Sequence, residues 1–180
     1  MSKTVTRIDT VSLRPITIQD TPNIVRWRNT NSVRVNLFSQ SIITEDTHIE
    51  WMHRMVETGK CHQYIIQVDE YEESRDIGTT FIKTQDQEKK IGEFGIFIGD
   101  EAARGKGYGK AATLQMLETA FQNLKYKSIY LWVYENNIVA IRTYIDAGFK
   151  FVPNTQLVQN GQVFVQMNVF ADEFISSTSC

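Results

Sequence analysis

Arg104-Gly105-Lys106-Gly107-Tyr108-Gly109-Lys110 joins a β-rich run, Glu93 to Ile98, to a segment in which Leu114, Leu117, Phe121 and Leu124 recur at spacings of three and four. A strand, a glycine loop and a helix are therefore predicted in that order. Glycines let a loop turn its backbone N–H groups inward without obstruction by Cβ, and the following helix N-terminus adds partial positive charge. Such a site suits a dianionic pyrophosphate, and Lys106 and Lys110 add formal charge. A tight turn needing positive φ is the plainer reading of the same glycines. Two phosphate motifs are excluded. No Ser or Thr follows Lys106 or Lys110, as a P-loop requires, and the glycines alternate instead of following the dinucleotide spacing Gly-x-Gly-x-x-Gly.

Outward from the loop, Ser128 to Tyr134 reads as a largely apolar strand, which makes a βαβ unit with locally parallel pairing. Tyr64 to Val68, Gly78 to Lys83 and Glu93 to Ile98 are β-rich runs separated by polar turns, the pattern of an antiparallel meander. A first strand is expected over Val11 to Ile16. Thr17 and Asp20 then cap a helix with Pro22 in its first turn, and Thr44 caps a second helix that stops at Gly59. A helix from about Ile138 to Ala147 ends at Gly148, and Val163 to Val169 supplies the last strand. The fold class is α/β: one domain over residues 1–180, its core over about 10–172, with a mixed, mostly antiparallel twisted sheet flanked by helices. Residues 173–180 read as a tail.

With 180 residues, 42% hydrophobic, 22% charged and a formal net charge of −2, the chain has the composition of a soluble globular domain. Nothing in this balance asks for nucleic acid or a membrane. Met1 to Asp9 lacks the uninterrupted apolar stretch of a secretory signal, and no run approaches the roughly 18 apolar residues of a spanning helix, so a cytoplasmic location is the expectation. Cys61 and Cys180 are far apart, which predicts no disulfide. His48, His53 and His62 are too dispersed to suggest a metal.

Arg104, Gly107 and Gly109 match the signature Arg/Gln-x-x-Gly-x-Gly/Ala, and Asn137, Ala140, Tyr144 and Gly148-Phe149 are spaced like a second cofactor motif. On these residues the chain resembles the GNAT superfamily of N-acetyltransferases, with acetyl-CoA as co-substrate and no metal. The resemblance implies that a strand splays from its parallel neighbour at Phe97, Ile98 and Gly99 and hydrogen-bonds the pantetheine arm. The residues from Arg104 to Lys110, with Asn137, Ala140 and Tyr144, would complete the cofactor site. By position Tyr144 matches the tyrosine near the cofactor sulfur, a donor with a reference pKa of about 10 facing a thiolate whose acid has about 8.5. Glu93 and Glu135 are both candidates for the base, since each is a carboxylate in a β-rich run beside the cofactor segments.

Trp27-Arg28-Asn29, Leu37-Phe38, His48 and Trp51 resemble the subgroup that acetylates UDP-linked amino sugars. That implies Arg28 and His48 on the nucleotide moiety, with Arg28 able to pair with phosphate and Phe38 to stack on the base, and Glu93 as a further substrate-binding residue. The Trp-Arg-Asn opening also resembles the ribosomal-protein and polyamine acetyltransferases. Three readings follow: a nucleotide-linked amino sugar as the small-molecule amine; a ribosomal-protein N-terminus, polyamine or other small amine; and a non-catalytic acyl-CoA-binding module. Strand-edge or helix-mediated homodimers are compatible with all three.

Overall fold

The computed structural model describes residues 10–70 and 73–178. The reading of Met1 to Asp9 and the position of Cys180 lie outside them. The elements in chain order are β1 (Thr10–Pro15), α1 (Thr21–Asn29), α2 (Asn31–Arg34), α3 (Glu45–Trp51), β2 (Cys61–Glu70), β3 (Glu73–Asp86), β4 (Ile91–Ile98), α4 (Tyr108–Glu118), β5 (Ser128–Tyr134), α5 (Ile138–Asp146), β6 (Lys150–Gln159), β7 (Gln162–Phe170) and α6 (Ala171–Thr178). A wider helical turn extends α3 over Met52–Val56, and another extends α4 over Thr119–Asn123.

All seven strands form one sheet in the order β1-β2-β3-β4-β5-β7-β6. The meander β1 to β4 is antiparallel throughout, β5 pairs with β7 and β7 with β6 antiparallel, and β4 with β5 is the parallel pair. That parallel ladder holds only Ile91, Gly92 and Glu93 against Ser128, Ile129 and Tyr130. Beyond Glu93, β4 stays on β3 while β5 stays on β7. The β5-facing edge of Phe94 to Ile98 is therefore left without a ladder, and apart from the Ile98 carbonyl, which accepts from Arg104 Nε, its peptide groups are open to an added partner.

Alternation along β4 decides which side of the sheet each residue serves. Gly92 and Phe94 point into the main core with Met116 and Leu117 of α4, Ile129 and Leu131 of β5, and Phe149. Phe97 packs on the opposite face with Trp27, Met52 and Ile65, under α1 and α3. Gly99 serves that second cluster. A Cβ there would lie 2.2 Å from Trp27 Cγ, so its lack of a side chain is a packing requirement.

Residues 150–159, which the sequence pattern assigns to no element, are a strand. One expectation needs correction: the segment read as a tail from residue 173 belongs to α6, where Phe174 is buried and its ring centroid lies 5.4 Å from that of Phe121. Burying an aromatic ring against α4's extension outweighs the polar composition of the last turn.

Candidate active site

The splayed pair opens a cleft of about 550 Å³. The β4 residues from Glu93 to Ile98 and Leu131 to Val133 of β5 form its two flanks. Arg104, Gly105, Gly107, Tyr108, Gly109 and Lys110 close one end, while Ala140 and Tyr144 of α5 with its N-cap Asn137, and Phe38 of the α2–α3 loop, complete the wall.

The glycine loop has the conformation its sequence implies. Gly105 and Gly107 have φ of +74° and +86°, and a Cβ on either would meet nothing within 4 Å. Backbone conformation, not space, is what requires glycine at both positions. Arg104 is anchored through Nε, which donates to the Ile98 carbonyl at 3.1 Å, while its Nη2 is buried with no partner among the described residues. Its Nη1 lies 3.6 Å from Glu101 Oε1, and with Arg104 lining the cleft beside a helix N-terminus the unsatisfied Nη2 leaves the guanidinium able to serve a further anion. Lys110 meets Asp146 at 3.2 Å across α4 and α5, and Lys106 stacks over the Tyr108 ring at 5.9 Å.

Tyr144 is held in an aromatic cluster, with its ring centroid 6.0 Å from that of Phe94 and 5.8 Å from that of Phe149, both edge-on. Burial pushes its phenol well above the usual tyrosine value, so it stays protonated and able to donate at any physiological pH. Glu93, on the other face, takes hydrogen bonds from Gln85 Nε2 at 2.7 Å and Lys83 Nζ at 3.3 Å. Tyr130 beside it is pushed up to about 12, first by burial and then by the Glu93 charge. Asn137 caps α5: its Oδ1 accepts from the Ala140 N–H at 3.2 Å, and its Nδ2 donates to Asn36 Oδ1, also at 3.2 Å. The cleft thus joins backbone groups free to pair with an extended chain, an anion cradle, a protonated phenol and a carboxylate.

Of the residues singled out in the sequence, the cleft gathers Phe38, Glu93, Phe97, Ile98, Arg104, Gly105, Gly107, Tyr108, Gly109, Lys110, Asn137, Ala140 and Tyr144. Gly99, Lys106 and Glu135 are outside its lining, and Glu135 is exposed in the turn after β5. Arg28 is also outside, its guanidinium donating to the carbonyls of Ser41 at 3.0 Å and Ser39 at 3.1 Å. His48 is buried, with Nδ1 3.0 Å from Thr21 Oγ1, its ring stacked on Trp51, and Nε2 without a partner among the described residues. Sequence reasoning missed Asn36, Phe81 and Trp132 of the lining. Phe81 was legible in principle, since it pairs with Gly95 across β3 and β4 and faces the same side as Glu93.

Burial, aided by the Arg28 charge and opposed by Asp20, lowers the His48 pKa below 6.5. The unfolded chain binds that proton more readily, so stability is full above about pH 6.5 and declines as pH falls through that value. His62 is lowered by burial as well, so the comparison is made between variants. His48→Gln is expected to flatten the fall of the urea midpoint between about pH 7 and pH 5. Equal slopes in wild type and variant would contradict this.

Residues 10–150 match the model of the acetyltransferase (GNAT) domain family. The spermine/spermidine N(1)-acetyltransferase of Bacillus subtilis (strain 168) is 39% identical over 79 residues, which cover 43% of this chain and 51% of that protein. The probable spermine N(1)-acetyltransferase of Bacillus subtilis subsp. natto (strain BEST195) is 38% identical over 79 residues, with the same coverage. This chain spans about half the length of these curated relatives. Among solved structures, spermidine N-acetyltransferase from Vibrio cholerae in complex with CoA and spermine superposes with a TM-score of 0.83 at 20% identity, over 92% of this chain and 98% of that one. A domain from Methanocaldococcus jannaschii gives a TM-score of 0.73 at 21% identity, over 90% and 100%; both are likenesses of fold. The splayed β4–β5 pair, the glycine cradle and the family match over most of the chain agree: this chain belongs to the GNAT acetyltransferases, a family that uses acetyl-CoA.

Proposed function

We propose that this chain transfers an acetyl group from acetyl-CoA to a primary amine of a small cationic acceptor, of the polyamine class. The observation that carries the reading is Glu93, a carboxylate at the fork where β4 leaves β5, in the same cleft as the protonated phenol of Tyr144. Acetyl-CoA, when bound, supplies an acyl group already activated for attack. The free edge of Phe94 to Ile98 would align the pantetheine arm as an added strand does, and the Arg104 to Lys110 cradle would hold the diphosphate.

At the acceptor, Glu93 takes a proton from the amine, directly or through water, leaving the nitrogen neutral. The neutral nitrogen would attack the thioester carbonyl carbon, and as the carbon–sulfur bond breaks the Tyr144 hydroxyl would hydrogen-bond the departing sulfur and pass it a proton, regaining one from the proton that the new amide nitrogen sheds. Phe38, Phe81 and Trp132 line the same cleft, and aromatic faces attract a second ammonium group of a long polycation. The curated relatives are named for spermine and spermidine, which supports this acceptor over a nucleotide-linked sugar. An amino-sugar diphosphate would also need Arg28, whose guanidinium is committed to two loop carbonyls.

Glu93→Gln is expected to lower kcat/KM about a hundredfold near pH 7, with the deficit shrinking as pH approaches the amine's own pKa, where the acceptor needs no base. A deficit independent of pH would reject the base. The acceptor class is tested by thiol release from acetyl-CoA with polyamines, UDP-amino sugars and peptides as separate panels. Turnover with polyamines alone is expected; turnover with the nucleotide sugars alone would overturn the reading.

A further inference from the structure

The loop that follows α2 walls the cleft with Asn36, Leu37 and Phe38 before α3 begins, yet it has no regular secondary structure to hold it. Its backbone is held from the far end of the sheet. Gln162 Oε1 accepts from Gln40 Nε2 at 2.7 Å, and Gln162 Nε2 donates to the Val35 carbonyl at 3.3 Å. Gln159 Nε2 donates to the Phe38 carbonyl at 2.9 Å. Between these attachments the Phe38 ring meets Phe164 edge-on at 5.2 Å.

The donors come from a stiff source. Asn160 and Gly161 have φ of +53° and +73°, the left-handed pair of a two-residue hairpin turn, which fixes Gln159 opposite Gln162. Cross-strand partners share a face of the sheet, so both amide side chains reach toward the same loop. Carbonyls in an irregular loop would otherwise turn to water and let the loop move. Arg28 and Asn29 grip the loop's other side at Ser39, Ser41 and Ile43, so its position is set from two directions.

We propose that Gln162, with Gln159, is a positioning residue for the acceptor: the β6–β7 turn fixes the 35–41 loop and thereby places Phe38 in the wall against which the amine substrate lies. This rests on the acceptor reading above, in that Phe38 is taken to border the amine; the loop also meets the cofactor side at Asn36, whose Oδ1 accepts from Asn137 Nδ2. The carboxamides touch no reacting atom and act only through the loop. Their loss should therefore weaken acceptor binding and leave the glycine cradle intact.

Two readouts test it. With the best amine of the panel, Gln162→Leu is expected to raise the amine KM about tenfold, with kcat falling less than threefold and the acetyl-CoA KM unmoved. Gln40→Ala combined with Gln162→Ala should cost less than the sum of the two single changes, because their mutual hydrogen bond is lost in either one, while each also gives up its own bond to the Val35 carbonyl. Amide exchange needs no acceptor: residues 35–41 should exchange at least tenfold faster in Gln162→Leu, and also in Gln159→Leu should the first variant fold poorly. Unchanged exchange in both variants, or amine and acetyl-CoA KM values that rise together, would overturn the proposal. Should no amine be acetylated, the acceptor reading fails by itself, while exchange still decides whether the turn holds the loop.

Discussion

Replacing Tyr144 with Phe is expected to lower kcat about 10²- to 10³-fold while the KM for acetyl-CoA changes less than threefold. The ring would keep its edge-on contacts with Phe94 and Phe149, so only the hydroxyl is lost from the cleft. Because burial raises the phenol above its usual value, the wild-type donor keeps its proton through neutral and moderately alkaline pH. Tyr144 should therefore impose no alkaline decline below about pH 10. Steady-state kinetics with the best acceptor, together with a melting curve to verify the fold, measure this. A variant with more than half the wild-type kcat would exclude Tyr144 as the proton donor, whatever its place in the cleft.

Gly107→Val is expected to weaken coenzyme A binding about 10- to 100-fold without unfolding the protein. An added Cβ would clash with nothing, since no atom lies within 4 Å of its position. The strain comes from φ of +86°, where a β-branched residue costs about 1–2 kcal/mol and would be relieved by turning the peptide groups out of the cradle. Gly107 immediately precedes α4, so the same rotation misaligns the helix N-terminus that favours an anion. Calorimetric titration of coenzyme A into wild type and variant measures the effect, and far-UV circular dichroism verifies the fold. Equal affinities would mean that the loop's backbone geometry does not hold the diphosphate.

The parts of this molecule legible in the sequence are those set by short-range patterns. The period change after Gly109, the alternation in the meander and the Thr17/Asp20 cap place β1, β3 to β5 and α4 within a few residues of where they lie. The glycine loop is legible for the same reason: its positive φ values and its position between strand and helix are local properties. β6 was not read as a strand because it is a solvent-facing edge with Pro153 in the irregular stretch between Phe151 and Gln156, so apolar alternation is weak there. The Asn160-Gly161 dipeptide was the signal that could have found the hairpin. α6 was missed because its stability comes from Phe174 docking on Phe121, a contact between distant parts of the chain.

The candidate site divides along the same line. Residues on the cofactor side follow from motif spacing, because one strand, one loop and two helix starts position them. Acceptor-side residues depend on how α1, α2 and the β6–β7 turn meet, and no spacing in the sequence encodes that. Arg28 reads as a phosphate ligand until the carbonyls of Ser39 and Ser41 are found within reach of its guanidinium. His48 reads as a substrate contact until its burial against Thr21 and Trp51 is seen. Phe81, Trp132 and Asn36 carry no motif at all, and only the sheet register and the Asn137 contact bring them to the cleft.

The central claim is that the gap between β4 and β5, closed at one end by the Arg104 to Lys110 cradle, binds a coenzyme A thioester. Hydrogen–deuterium exchange of the wild-type protein with and without saturating acetyl-CoA tests it most directly. Slowed exchange concentrated in peptides covering Phe94 to Ile98 and Arg104 to Ala112 is the expected result, because those amides would gain partners on binding. Protection confined to other parts of the chain, or no change at millimolar acetyl-CoA, would contradict the account.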